Sequence, residues 1–147
     1  MGKVVIVTGA SRGIGAATAK LLGSNDYKVC VNYLSDKNAA DRVCASIADN
    51  GGVAFAHEAD VSDEAQVLDM FEYVREQWDE VTHLVNNVGV LFTKTELINV
   101  SAERFTKVLN TNVLSAFLCS KAFVKQNVAG GAIVNVSSIA SRTGAPF

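Results

Sequence analysis

A chain of 147 residues, 49% apolar and 19% charged, carries enough apolar material for one packed domain and excludes a disordered or low-complexity class. Thirteen Lys and Arg against fifteen Asp and Glu leave a net charge of −2, which offers no electrostatic draw toward nucleic acid or an anionic membrane surface. Cys30, Cys44 and Cys119 are odd in number and far apart, which argues against a disulfide framework or a zinc site and for small core residues in a reducing, cytoplasmic protein.

Short apolar runs alternate with helical patterns along the chain. Residues 3–7 form a β-branched run bounded by Gly9, the signature of a strand buried on both faces. With Gly9 ending the apolar run so early no signal peptide is expected, and no apolar run approaches the ~18 residues a bilayer span requires. Ile14, Thr18, Leu21 and Leu22 then recur at helical spacing. A second strand is expected over 28–33. A helix over 36–49 follows, with Ala39, Ala40, Val43 and Ile47 on one face. A third strand covers 53–57. Asp63 with Gln66 three residues on reads as a capping box for a helix whose inner face is Val67, Met70, Phe71, Val74 and Trp78. A fourth strand spans 81–86 and turns at Asn87-Val88-Gly89. Ser101 caps a helix carrying Phe105, Val108, Leu109 and Asn112; a longer one with Val113, Ala116, Phe117, Ser120 and Val124 runs to about residue 127. The fifth strand, 132–136, leads into Ser137-Ser138.

Strands alternating with helices predict an α/β fold of Rossmann type, a doubly wound parallel sheet with helices on both faces, built as a single domain over 1–147. In such a sheet ligands bind outside the carboxyl ends of the strands. The polar and glycine-rich residues fall at those ends: 8–15, 33–37, Asp60, 86–89 and 137–138.

The first of these turns fits two chemistries. Gly9-Ala10-Ser11-Arg12-Gly13 matches G-x-S-x-G, the nucleophile elbow of hydrolases. Gly9, Gly13 and Gly15 also match a turn that lets a pyrophosphate approach a helix N-terminus. The elbow needs a histidine base late in the chain. Only His57 and His83 exist, one at the end of the third predicted strand and one inside the fourth, so the dinucleotide reading prevails.

These residues resemble the short-chain dehydrogenase/reductase family over the whole chain. Thr8-Gly9-Ala10-Ser11-Arg12-Gly13-Ile14-Gly15 fits its T-G-x-x-x-G-x-G motif. Asp60-Val61 is similar to its adenine-contacting D-V pair, and Asn86-Asn87-Val88-Gly89 to its N-N-A-G, with Val for Ala. Asn112, in L-N-T-N-V, and Ser138, in V-N-V-S-S-I, match its active-site asparagine and catalytic serine. The resemblance implies hydride transfer between a nicotinamide and a carbonyl or secondary alcohol. A tyrosine is the general acid/base, helped by a lysine; the serine polarises the substrate oxygen, and the asparagine anchors a water in a proton relay. From spacing alone, Ser138 reads equally as a capping serine and Asn112 as a helix-kink asparagine. The implied cofactor contacts are Gly9, Ser11, Arg12, Gly13, Ile14, Gly15, Tyr33, Ser35, Asp60, Val61, Asn87, Val88 and Gly89.

NAD-preferring members carry an acid at the end of the second strand. Asn32 and Tyr33 stand there instead, and Arg12, Ser35 or Lys37 can meet a 2′-phosphate, so NADP(H) is expected over NAD(H), with Asp36 as an opposing charge. The family's Tyr-x-x-x-Lys lies beyond Phe147, so the sequence reads as a fragment or truncated product of a longer enzyme. As written it is expected to be inactive, a dinucleotide-binding module. No metal is expected. Substrates are expected to be small carbonyls or alcohols, with overall similarity to 3-oxoacyl-carrier reductases and sugar dehydrogenases, and the parent a homodimer or homotetramer.

Overall fold

The computed structural model describes residues 2–126 and 130–144. Strands β1 (Lys3–Val7), β2 (Tyr27–Tyr33), β3 (Val53–Glu58), β4 (His83–Asn86) and β5 (Ala132–Asn135) form one parallel sheet in the order β3-β2-β1-β4-β5. Val5 stands opposite Val29 on one side and His83 on the other, so β1 is central. Its alternate side chains enter two cores. Val4 and Ile6 join Met70, Phe71, Leu84 and Leu118 on one face; Val5 and Val7 join Val29, Val31, Val43 and Ile47 on the other. This double burial is why β1 reads as a continuous apolar run.

Helices α1 (Gly13–Gly23) and α2 (Lys37–Asp49) cover the second face; α3 (Glu64–Gln77) and α5 (Ser115–Lys125) cover the first. Helix α4 (Ala102–Leu109) joins α5 through a π turn over Asn110–Leu114, and a short α6 (Ala140–Thr143) follows β5. The expected inner faces of α2 and α3 are the buried ones.

Two helices turn a different face inward from the one their large apolar residues suggest. In α1 the buried positions are Gly15, Ala19 and Gly23, whereas Ile14 and Leu21 are each 65% exposed. Close approach is the reason: a Cβ on Gly23 would lie 2.6 Å from Ile47 Cγ2. In α5 the buried residues are Ser115, Leu118, Cys119, Ala122 and Phe123; Val113 and Phe117 are 58% exposed and Val124 67%. Both faces of this helix are apolar, and the extra residue of the π turn shifts its phase, so periodicity alone picks the wrong one. Its expected end near residue 127 lies outside the described residues.

Burial pushes all three thiols up, Cys44 to about 11 and Cys119 to about 12, so none is a thiolate near neutral pH. Among the described residues no helix is long and apolar enough to cross a membrane, and no cluster of His, Cys, Asp and Glu could hold a metal ion.

Candidate active site

The strand order reverses between β1 and β4: β2 and β3 lie to one side of β1, and β4 and β5 to the other. A crevice opens there at the carboxyl ends of the strands. Thr8 and Asn87 lock its floor. Thr8 Oγ1 accepts from the Asn87 N–H at 2.9 Å and the Val88 N–H at 3.2 Å, while Asn87 Nδ2 donates to Thr8 O at 2.9 Å and Gly9 O at 3.3 Å.

The glycine turn crosses this floor. Gly9 and Gly13 have φ of +60° and +57°, the left-handed region that favours glycine. Gly15 is needed for space, since a Cβ there would lie 2.5 Å from Asn87 Nδ2 and 2.6 Å from Gly9 O. Ala16 N–H bonds to Arg12 O and opens the helical ladder, so the N–H groups of Gly13, Ile14 and Gly15 remain outside it. Nothing lies within 4 Å of where a Gly13 Cβ would sit. Open space, free N–H groups and the helix dipole together make a cradle for an anion such as a pyrophosphate.

Two cavities flank the turn, and Gly9 and Val88 line both. The larger, about 690 Å³, is lined by Asn32, Ala59, Asp60 and Val61 on one side and by α4 on the other. Its Asp60 turn is tightly held. Asp60 Oδ1 accepts from Ser62 N at 2.9 Å and Ser62 Oγ at 2.6 Å. Gln66 Oε1 accepts from Asp60 N–H at 2.8 Å. Asp63 caps α3 as expected, accepting from Ala65 N and Gln66 N, but the reciprocal half of the expected capping box does not form: Asp63 N–H donates to Asp60 O at 3.0 Å, and Gln66 Oε1 takes the Asp60 N–H and so braces the Asp60 turn.

The smaller cavity, about 300 Å³, gathers Ser11, Arg12, Tyr33, Ser35 and Asp36, with Asn87, Val88 and Gly89 at its other end. Arg12 is exposed and has no ion-pair partner among the described residues. Lys37 is turned away onto Asp41 at 2.7 Å. Asp36 Oδ1 accepts from Ala39 N–H at 2.9 Å as the N-cap of α2, which commits part of its carboxylate to the helix. Tyr33 is buried, its hydroxyl 3.4 Å from Glu58 Oε2. Burial and that carboxylate hold the phenol above its ordinary value, so it stays neutral.

Asn112 sits inside the π turn. Its Oδ1 accepts from Val90 N–H at 2.7 Å and its Nδ2 donates to Val90 O at 3.0 Å, so the carboxamide pins the loop after β4 to the helix. Ser138 is exposed three residues beyond β5; its Oγ accepts from Ala140 N–H at 3.2 Å, a local turn contact that leaves the hydroxyl hydrogen free to donate. Ser138 precedes Ile139, the N-cap of α6, and Asn112 stands in the π turn but spends its carboxamide on the loop after β4. Sequence reasoning missed Asn32 as a site residue; an asparagine at the end of a buried strand was the available signal.

The family model described as short chain dehydrogenase matches residues 3–147. An uncharacterized oxidoreductase of Escherichia coli K12, YgfF, is 48% identical over 97% of this chain and 60% of its own length. A 3-oxoacyl-[acyl-carrier-protein] reductase of Synechocystis is 38% identical over 98% of this chain and 59% of its own. A solved short chain dehydrogenase from Burkholderia cenocepacia in complex with NADP superposes with a TM-score of 0.91 at 34% identity, covering 100% of this chain and 59% of that one. The chain therefore spans about 60% of the length of such relatives.

Proposed function

Since the chain belongs to the short-chain dehydrogenase family, we propose that it forms the NADP(H)-binding part of an oxidoreductase that moves hydride between the nicotinamide and a carbonyl or secondary-alcohol carbon of a small molecule. The observation that carries this reading is the smaller cavity, where the glycine turn, Arg12 and Ser35 converge and the end of β2 offers a neutral tyrosine instead of a carboxylate. Arg12 and Ser35 would pair with a 2′-phosphate, Gly13 to Gly15 with the pyrophosphate, and Asp60-Val61 with adenine. The cofactor supplies the hydride when bound. The Ser138 hydroxyl would donate to the substrate oxygen. Asn112 would act by fixing the Val88–Val90 wall of the cleft through its two bonds to Val90.

The described residues contain no tyrosine placed to serve as the family's acid/base. Tyr27 packs against His83, Tyr33 against Glu58, and Tyr73 against Phe55 and His57. We read the 147 residues as the binding half of the site, able to hold the dinucleotide without turnover. The exposed face of Phe105, Val113, Phe117 and Val124 fits self-association of a cytoplasmic protein through the α4–α5 arm. The substrate we propose is of the 3-oxoacyl or sugar type, since the Synechocystis relative is a 3-oxoacyl reductase and a Bacillus subtilis relative, 37% identical over 94% of this chain, is a glucose 1-dehydrogenase.

Fluorescence titration with NADPH and NADH tests the cofactor. NADPH is expected to bind about tenfold or more tightly, and Arg12→Ala to weaken NADPH by about that factor while leaving NADH nearly unchanged. Equal affinities, with Arg12→Ala affecting both alike, would sink the assignment.

A further inference from the structure

Asn32 is the most thoroughly committed polar side chain near the cleft. It stands one residue before the end of β2 and is 1% exposed. Its Oδ1 accepts from Gly9 N–H at 3.1 Å, and its Nδ2 donates to Ala59 O at 3.1 Å, with His57 O and Tyr33 O each at 3.4 Å. The donor faces only carbonyls and the acceptor only an N–H, so the amide has one workable orientation. Its backbone carbonyl also accepts from Ala10 N–H at 2.8 Å.

These bonds join two separate turns. Gly9 and Ala10 begin the glycine turn, and their N–H groups are taken by Asn32, so the ones left for an anion lie further on, at the start of α1. Ala59 precedes Asp60-Val61, the turn on the far side of the larger cavity, and Asn32 forms part of the floor between them. Backbone bonds also tie each turn to β2, Ala10 N–H to Asn32 O at 2.8 Å and Ala59 N–H to Tyr33 O at 3.0 Å, while the other side-chain ties run within each side: Asp60 to Ser62 and Gln66, Gly9 to Asn87. The Asn32 carboxamide is the side-chain link across the gap. A buried donor or acceptor without its partner is costly, so both bonds are enforced and the separation of the two turns is fixed.

We propose that Asn32 is a positioning residue that sets the spacing between the pyrophosphate turn and the adenine turn, so that a dinucleotide bridging both meets them already in place. It rests on the NADP(H) reading. A ligand that meets both turns gains from fixed spacing, because neither turn must be ordered on binding; a ligand that meets one turn gains little. An aspartate at this position makes the role switchable. Protonated, it reproduces the carboxamide: its carbonyl accepts from Gly9 N–H and its O–H donates to Ala59 O. Ionised, it keeps the Gly9 bond and turns an acceptor on the Ala59 carbonyl.

The test is titration of NADPH and of adenosine against the wild-type chain, Asn32→Asp and Asn32→Ser, with thermal melts giving the folded fraction. At about pH 8, Asn32→Asp is expected to weaken NADPH about tenfold or more relative to wild type at the same pH, and adenosine less than about threefold. The NADPH gap is expected to close to within about threefold near pH 5.5, where a desolvated carboxyl carries its proton. Asn32→Ser, whose hydroxyl cannot span both turns, is expected to show the same NADPH loss with no such recovery. A wild-type chain that fails to bind NADPH removes the cofactor reading and the proposal with it. A wild-type chain that binds while both variants bind equally well overturns the positioning role alone. So does a loss matched by the unfolded fraction, a loss equal for NADPH and adenosine, or an Asn32→Asp gap that does not change with pH.

Discussion

At the scale of single residues, the glycine turn separates two reasons for a missing side chain. Gly13 has left-handed backbone and empty space around its would-be Cβ, so Gly13→Ala meets only conformational strain, about 1–2 kcal/mol. Gly15 meets Asn87 Nδ2 at 2.5 Å and the Gly9 carbonyl at 2.6 Å, and the latter is backbone that cannot swing aside. Gly15→Ala must push Asn87 off Thr8 and Gly9, loosening the β1–β4 floor. It is expected to cost about 2–3 kcal/mol. Urea unfolding of both variants checks the order. If Gly13→Ala proves the more damaging to stability, the close approach assigned to Gly15 is wrong. The glycines were legible in the sequence as a motif; which were needed for backbone conformation and which for space was not, because the neighbour of Gly15 lies seventy-two residues away at Asn87. Asn32 was visible as a polar residue at the end of a buried strand, but its partners were not, because they come from the ends of β1 and β3.

At the scale of elements, strands were easier to read than helix faces. A strand buried on both sides needs only a continuous β-branched run, and 3–7 supplies one. A helix face is inferred by assuming that large apolar residues go inside. Helix α1 breaks that assumption because the sheet and α2 come so close that Gly15, Ala19 and Gly23 are its fully buried residues, with Ala16 and Leu22 packed partly buried beside them. Ile47 carries the constraint: its Cγ2 lies 2.6 Å from a Cβ built on Gly23 and 2.7 Å from one built on Gly52. The methyl is enclosed from both sides and has nowhere to move. Gly23→Ala therefore sets a helix-propensity gain of at most ~1 kcal/mol, smaller at a helix end, against an overpacking cost of about 1–3 kcal/mol. Net destabilisation is expected in thermal melts. The double variant with Ile47→Val, which trims the other branch and leaves Cγ2 in place, should not rescue it. A stabilised Gly23→Ala would show that α1 does not pack as closely as described.

At the scale of the whole molecule, the sheet holds its two histidines on different strands, and both respond to pH in one direction. His57, on β3, packs against Tyr73; His83, on β4, packs against Tyr27 with its Nδ1 2.9 Å from Thr82 Oγ1. Burial lowers both pKa values; Asp69 partly opposes this at His57, while Lys3 adds to it at His83. A histidine whose folded value lies below its unfolded value binds more protons when the chain unfolds. Its neutral form thus favours the folded state fully above the unfolded pKa of about 6.5, and that contribution drains away as pH falls through the folded value. The carboxylate of Asp63 is also held low, chiefly by the N–H and side chain of Gln66, but its stabilisation is lost only below the ordinary carboxylate range, in a separate and more acidic window. Melting temperature is therefore expected to fall in two stages on acidification, the first beginning near pH 6.5 and the second near pH 4. Substituting glutamine at both His57 and His83 should flatten the first stage and leave the second. Since Asn32 reaches toward His57 O at the end of β3, the first stage should also loosen NADPH binding in the wild type, and the double variant should remove that loss. A single acid transition that the double variant does not alter would show that neither histidine is held neutral by the fold.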